Sequence, residues 1–235
     1  MIRYNGKQFS LAGNPVMANY EMEDAAARLL YESGQRFETP KPVDCMKLAR
    51  YMGVSVREEY LSDSPYSLCA VALENQTLRT SRGRAVVMAA GDVVVEKAIR
   101  EVGDERRYAY AVFHALSHIY LHNRESDDGQ LSFDLTGTQS EKHFLCDFSE
   151  LADVYVDARL DSRPESEGQA DTFAGCLMLP KVPFKTAANK FMSKKEINRA
   201  DLEGETLDEM VKSLSDTFAA PEIVVALRLK KLLYL

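Results

Sequence analysis

His114 and His118 stand four residues apart in the run His-Ala-Leu-Ser-His-Ile-Tyr-Leu-His, residues 114–122. On a helix of about 3.6 residues per turn this spacing places both imidazoles on one face, with roughly 5–6 Å between Cβ atoms. Two such rings can converge on one ion at about 2.0–2.1 Å. The spacing is that of the helical zinc motif H-E-x-x-H, with Ala115 where the motif has Glu. The pair that would hold a metal is present, and the side chain that would activate water beside it is absent. His122 continues the series, but eight residues rise about 12 Å along the axis, beyond the reach of an ion shared by the other two. A histidine there suits a helix end, near the last carbonyls. His143, the remaining histidine, stands in an acidic segment and reads as a surface residue.

These side chains need a helix to position them, and the local sequence provides one. Asp104 is an N-cap candidate, Glu105 suits a first turn, and residues 105–122 contain neither Gly nor Pro. Tyr108, Val112, Ala115 and Ile119 form an apolar stripe at helical spacing. A third ligand must come from elsewhere, and Glu167 is the best candidate. Pro164 suits the first turn of its helix, Ser162 or Asp161 could cap it, and Pro180 marks its end. Ala170, Phe173, Ala174 and Leu177 then form the buried face. Asp171, one turn after Glu167, could accept the free N–H of a ligand histidine. Asp153 and Asp157 form a rival acidic pair that spacing alone does not exclude.

The two motifs together resemble the ImmA/IrrE metallopeptidases. That family's H-E-x-x-H-x-x-L-H helix is matched by His114, His118, Leu121 and His122. Its second pattern, E-x-x-A-x-x-F-A-x-x-L-x-x-P, is matched by Glu167, Ala170, Phe173, Ala174, Leu177 and Pro180. Residues 42–54 look like the family's amino-terminal helix and turn into its first strand, so the resemblance spans roughly residues 20–235. It implies an α+β, zincin-like metallopeptidase core with one zinc ion on His114, His118 and Glu167, and it raises Glu167 above Asp153 and Asp157. A water would complete the tetrahedron. The expected reaction is hydrolysis of a peptide bond in a partner protein, a transcriptional repressor or other regulator.

Ala115 departs from the family at the general base, the group that takes a proton from the attacking water and passes it to the leaving amine. Positioned acid–base catalysis contributes about 10²–10⁴-fold, so the chain as written is expected to be a very weak peptidase or none. Two origins fit: an enzyme inactivated by replacing Glu at 115, or a natural pseudoenzyme that binds its partner without cutting. The intact ligand set favours the first. Tyr66, Tyr155 and His143 are open possibilities for stabilising an oxyanion.

The remaining sequence bounds the setting. With 235 residues, 46% hydrophobic and 28% charged, the chain is an ordinary globular one. No apolar run approaches the roughly 18 residues that would span a membrane, and residues 1–7 lack the apolar core of a signal peptide. Cys45, Cys69, Cys146 and Cys176 show no C-x-x-C spacing, so neither a zinc ribbon nor a disulfide framework is indicated. The cytoplasm is the expected compartment. Net charge is −7, and residues 125–167 alone carry twelve Asp/Glu against three Lys/Arg, a local −9. An acidic insertion over about 123–163 is expected to border the cleft and favour a basic partner segment, beginning as a loop and forming an amphipathic helix over 147–160.

The amino-terminal part reads as αβ. Helices are expected from about 19 to 33 and from an Asp44 cap to Gly53, with strands over 54–60, 68–73, 84–88 and 93–96. An extended peptide could add along an edge of their sheet. The core is drawn over 1–180, with a helical carboxyl-terminal region over 181–235 packed on it. Basic residues cluster from Lys181 to Arg199, but Val224, Leu227, Leu229 and Leu233 look like core and the overall acidity opposes phosphate attraction. Nucleic-acid binding is not expected.

Overall fold

The computed structural model describes residues 16–80, 82–122, 143–148 and 164–232. Two short helices lead in. α1, Asn19–Glu32, starts with the Glu21 carboxylate accepting from the Ala18 amide. α2, Cys45–Met52, is capped by Asp44, which accepts from the Lys47 amide at 2.8 Å, and closes on Gly53 at φ 69°. Glycine carries no Cβ penalty in that left-handed conformation, so the chain can turn sharply toward the sheet.

Five strands follow: β1 Val56–Glu59, β2 Ser67–Ala72, β3 Gln76–Arg79, β4 Ala85–Met88 and β5 Val93–Glu96. A sixth, β6 His143–Asp147, joins β1, β5 and β2 in a sheet of order β1-β5-β2-β6. Among the described strands of this sheet only the β1–β5 pairing is parallel. The separate β3–β4 hairpin covers one face of this sheet over Ala70, Ala72 and Val94, while Cys69, Val71, Val93 and Val95 face the helices. Both faces of β2 and β5 are therefore buried, which explains their unbroken apolar runs.

The helical layer begins with α3, Lys97–Glu101, and α4, Glu105–His122. Asp104 caps α4 by accepting from the Arg107 amide at 3.0 Å. α5 runs Glu165–Met178, α6 Lys181–Lys195, α7 Gly204–Phe218 and α8 Glu222–Lys231. α4 is the central element, lying between the sheet and α5. The expected stripe of Tyr108, Val112, Ala115 and Ile119 is buried, but so are Tyr110, Phe113, Leu116 and Leu121 on its other sides. A helix enclosed on nearly all faces is an interior helix. Phe184, Met210, Phe218 and Leu229, from α6, α7 and α8, share one hydrophobic core with α1, α2 and the sheet. The architecture is mixed α+β.

Several expectations are corrected. Pro164 stands at the N-cap of α5 and not in its first turn, with φ −53° and ψ 147°. The helix expected over 147–160 does not begin at 147, because Asp147 pairs with Ser67 and the Phe148 amide donates to the Tyr66 carbonyl. β3 lies outside the four expected strands, and β6 lies inside the expected acidic insertion. Ser162, Asp161 and the remainder of the 147–160 segment lie outside the described residues, as does Leu233.

Candidate metal centre

α4 and α5 face each other so that Glu167 meets both histidines of the 114/118 pair. Glu167 Oε2 lies 3.1 Å from His114 Nε2, Glu167 Oε1 lies 3.2 Å from His118 Nε2, and the two Nε2 atoms are 3.0 Å apart. All three residues are buried. Each carboxylate oxygen serves one ring. Metal–ligand bonds of about 2.0–2.1 Å in a tetrahedron separate neighbouring ligands by about 3.3 Å, so this spacing fits a single ion.

A fourth donor completes the cluster. The Cys146 thiol, on β6, belongs with His114, His118 and Glu167 to a buried group whose ligand atoms all lie within 4.8 Å of one another. This cluster could hold a metal ion. The spacing of the cysteines gave no hint of it, because Cys146 is brought in by strand pairing. It sits opposite Cys69 of β2, and the neighbouring Cys69 side chain helps to raise the Cys146 pKa.

Asp171 lies one turn beyond Glu167, with Oδ1 2.8 Å from His114 Nδ1. The same oxygen accepts from the Tyr110 hydroxyl at 2.6 Å. Tyr110 was not singled out in the sequence, although its position four residues before His114 puts it on the same face of α4. The outer ring nitrogen of His114 is thus oriented by a carboxylate that a phenol holds in turn, the arrangement that commonly supports a metal-bound histidine.

The electrostatics of the metal-free site follow from burial opposed by these contacts. Burial alone would lower the His114 pKa, but the carboxylates of Asp171 and Glu167 outweigh it and keep the ring protonated up to about 10. For Glu167 burial would raise the pKa, but its contacts with His114 and His118 hold the carboxyl well below the usual range. Burial and the neighbouring His114 charge keep His118 neutral. One imidazolium and one imidazole therefore share the Glu167 carboxylate, with the Asp171 carboxylate behind His114, so the cluster carries no excess positive charge and a metal ion would take the place of the proton. Burial and the contact with Cys69 push the Cys146 thiol well above its ordinary value.

Ala115 is fully buried within the apolar core. His122 is the last residue of α4, but its role differs from the one expected. Its ring is buried, with Nδ1 3.2 Å from His118 Nδ1 and Nε2 3.0 Å from Gln169 Oε1. Burial pushes its pKa down to about 3, so it braces His118 as a neutral ring and supplies no charge to the helix end. Tyr66 is 53% exposed. His143 opens β6, and its side chain lies outside the described residues, as do Asp153, Tyr155 and Asp157.

No family model, curated protein or solved structure matches the chain. Among the described residues, no helix is long and apolar enough to cross a membrane.

Proposed function

We propose that this chain is a zinc protein on a metallopeptidase scaffold of the ImmA/IrrE type, disabled at its catalytic base. His114, His118 and Glu167 hold the ion, Asp171 orients His114, and Ala115 occupies the base position. The observation that carries the reading is the clamp made by Glu167, which offers one oxygen to each histidine at a buried site. Imidazole and carboxylate donors at this spacing suit zinc. Zinc at such a site polarises a carbonyl and makes water a nucleophile near neutral pH. Ala115 offers a methyl group and no proton acceptor, so proton transfer to a leaving amine has no positioned carrier there. The natural role of the scaffold is to grip a segment of a partner protein, a transcriptional repressor or regulator, and with Glu at 115 to cut it.

Elemental analysis tests the metal, with about one zinc per chain expected and a clear loss in Glu167→Ala. No zinc after loading and dialysis would sink the reading. Ala115→Glu tests the chemistry, using a peptide library digested and read by mass spectrometry. A gain of about 10²–10⁴-fold in cleavage supports an inactivated enzyme. Zinc retained with cleavage still absent supports a protein that only binds.

A further inference from the structure

The expected fourth position of the metal, open to water, is approached by a protein sulfur. Cys146 sits within 4.8 Å of every other donor in the cluster, and among the described residues no other cysteine joins it. A zinc site with four protein ligands is of the closed, structural type, whereas a catalytic site keeps one position open. The same sulfur has a second partner. Cys69 and Cys146 are directly opposed across the antiparallel β2–β6 pair, on the face turned toward the helices. Opposed residues in a regular antiparallel pair have Cα atoms about 4.5–5.5 Å apart, inside the roughly 4.4–6.8 Å window of a disulfide, and here the register shifts between Ser67 and Cys69, beside the pair. Among the described strands β6 is at one end of the sheet order, so a shift of Cys146 would disturb its pairing with β2 and not the β1–β5 or β5–β2 pairings.

We propose that Cys69 and Cys146 form a thiol latch on the metal centre. In the reduced chain the Cys146 thiolate is the fourth ligand and closes the site. On oxidation the two sulfurs join, Cys146 leaves the metal, and the fourth position opens to water. The oxidant is a small hydroperoxide. An S–S bond forms as its O–O bond breaks, and two electrons pass from the sulfur pair to oxygen. An alcohol (or water) and a water leave, carrying the Cys69 thiol proton and one proton from solvent. The inference rests on the metal-binding reading above and adds a means of switching it.

Cobalt(II) reports both parts on the full chain. Loading is expected to give about one cobalt per chain in tetrahedral coordination, with a near-ultraviolet sulfur-to-cobalt charge-transfer band. Cys146→Ser should lose the band and Cys69→Ser should keep it. Hydrogen peroxide should then yield a Cys69–Cys146 disulfide by peptide mapping, with the band lost, cobalt retained, and both changes reversed by dithiothreitol. The band is read first on the unsubstituted chain, so the result does not hinge on the folding of a variant. Failure to take up cobalt would overturn the metal reading itself. Cobalt bound without a sulfur band would leave that reading standing and overturn the latch. A band that persists under peroxide without a disulfide would likewise overturn the latch.

Discussion

Asp171 touches no proposed metal position, yet it sets the ring that does. Its Oδ1 stands 2.8 Å from His114 Nδ1 and accepts from Tyr110 at 2.6 Å. Groups in this role commonly account for about 10–100-fold in metal affinity, so Asp171→Asn should weaken zinc binding by that factor, measured by chelator competition. Tyr110→Phe, which leaves the carboxylate in place, should do less. His122 predicts a pH effect on the metal-free protein. The unfolded chain takes up its proton near 6.5, but the buried ring resists protonation until about pH 3. Between those values the unfolded state binds more protons, so stability falls as pH falls through that window. Glu167, held low, acts in the same direction below its ordinary value, while the His114 contribution is fully present below pH 6.5. His122→Gln should flatten the fall seen in thermal melts between pH 6.5 and pH 3; an unchanged slope would remove His122 from the account.

At the scale of elements, the centre depends on how α5 seats against α4. Phe173 is fully buried and stacks on Tyr120 with ring centroids 4.9 Å apart and planes 7° from parallel. It follows Glu167 by fewer than two turns, so its packing holds the Glu167 end of α5 in position. Phe173→Ala should cost about 3–5 kcal/mol in denaturant unfolding and reduce zinc occupancy with it. Phe173→Leu, which keeps most of the volume, should cost less and spare the metal. Both helices were legible in the sequence because caps, spacing and breakers are local signals. The all-round burial of α4 was not: a stripe reports one apolar face, and Ser117, His118 and His122 are buried on the others through contacts made by α5 and the sheet.

At the scale of the molecule, Arg228 joins three distant parts of the chain. It is 3% exposed, and its guanidinium donates to both Glu23 oxygens at 2.6 and 2.8 Å and to the Leu179 carbonyl at 3.0 Å. α8 is thereby tied to α1 and to the far end of α5. Glu23→Ala would leave a buried charge with its main partner gone and should destabilise by about 3–5 kcal/mol, whereas an apolar pair at both positions should cost much less. Leu179 lies about 18 Å along the axis from Glu167, so zinc stoichiometry should survive in the folded fraction of Glu23→Ala. A loss of metal equal to that in Glu167→Ala would show that the two ends of α5 are coupled.

The sequence by itself determined the elements and the faces they present: the His114/His118 spacing, the Asp104 and Asp44 caps, the Gly53 turn, and the stripe from Ala170 to Leu177 below Glu167. Each depends on neighbours within about four residues, the range over which helical periodicity and capping act. Only the tertiary structure decided that Cys146 joins the donors, that Tyr110 holds Asp171, and that His122 turns inward to Gln169. Those contacts arise where segments far apart in the chain meet. A five-residue strand carrying His, Phe, Leu, Cys and Asp has too little alternation to announce its partner, and its register against β2 is set by which side chains the core can bury. That pairing puts sulfur beside the histidines.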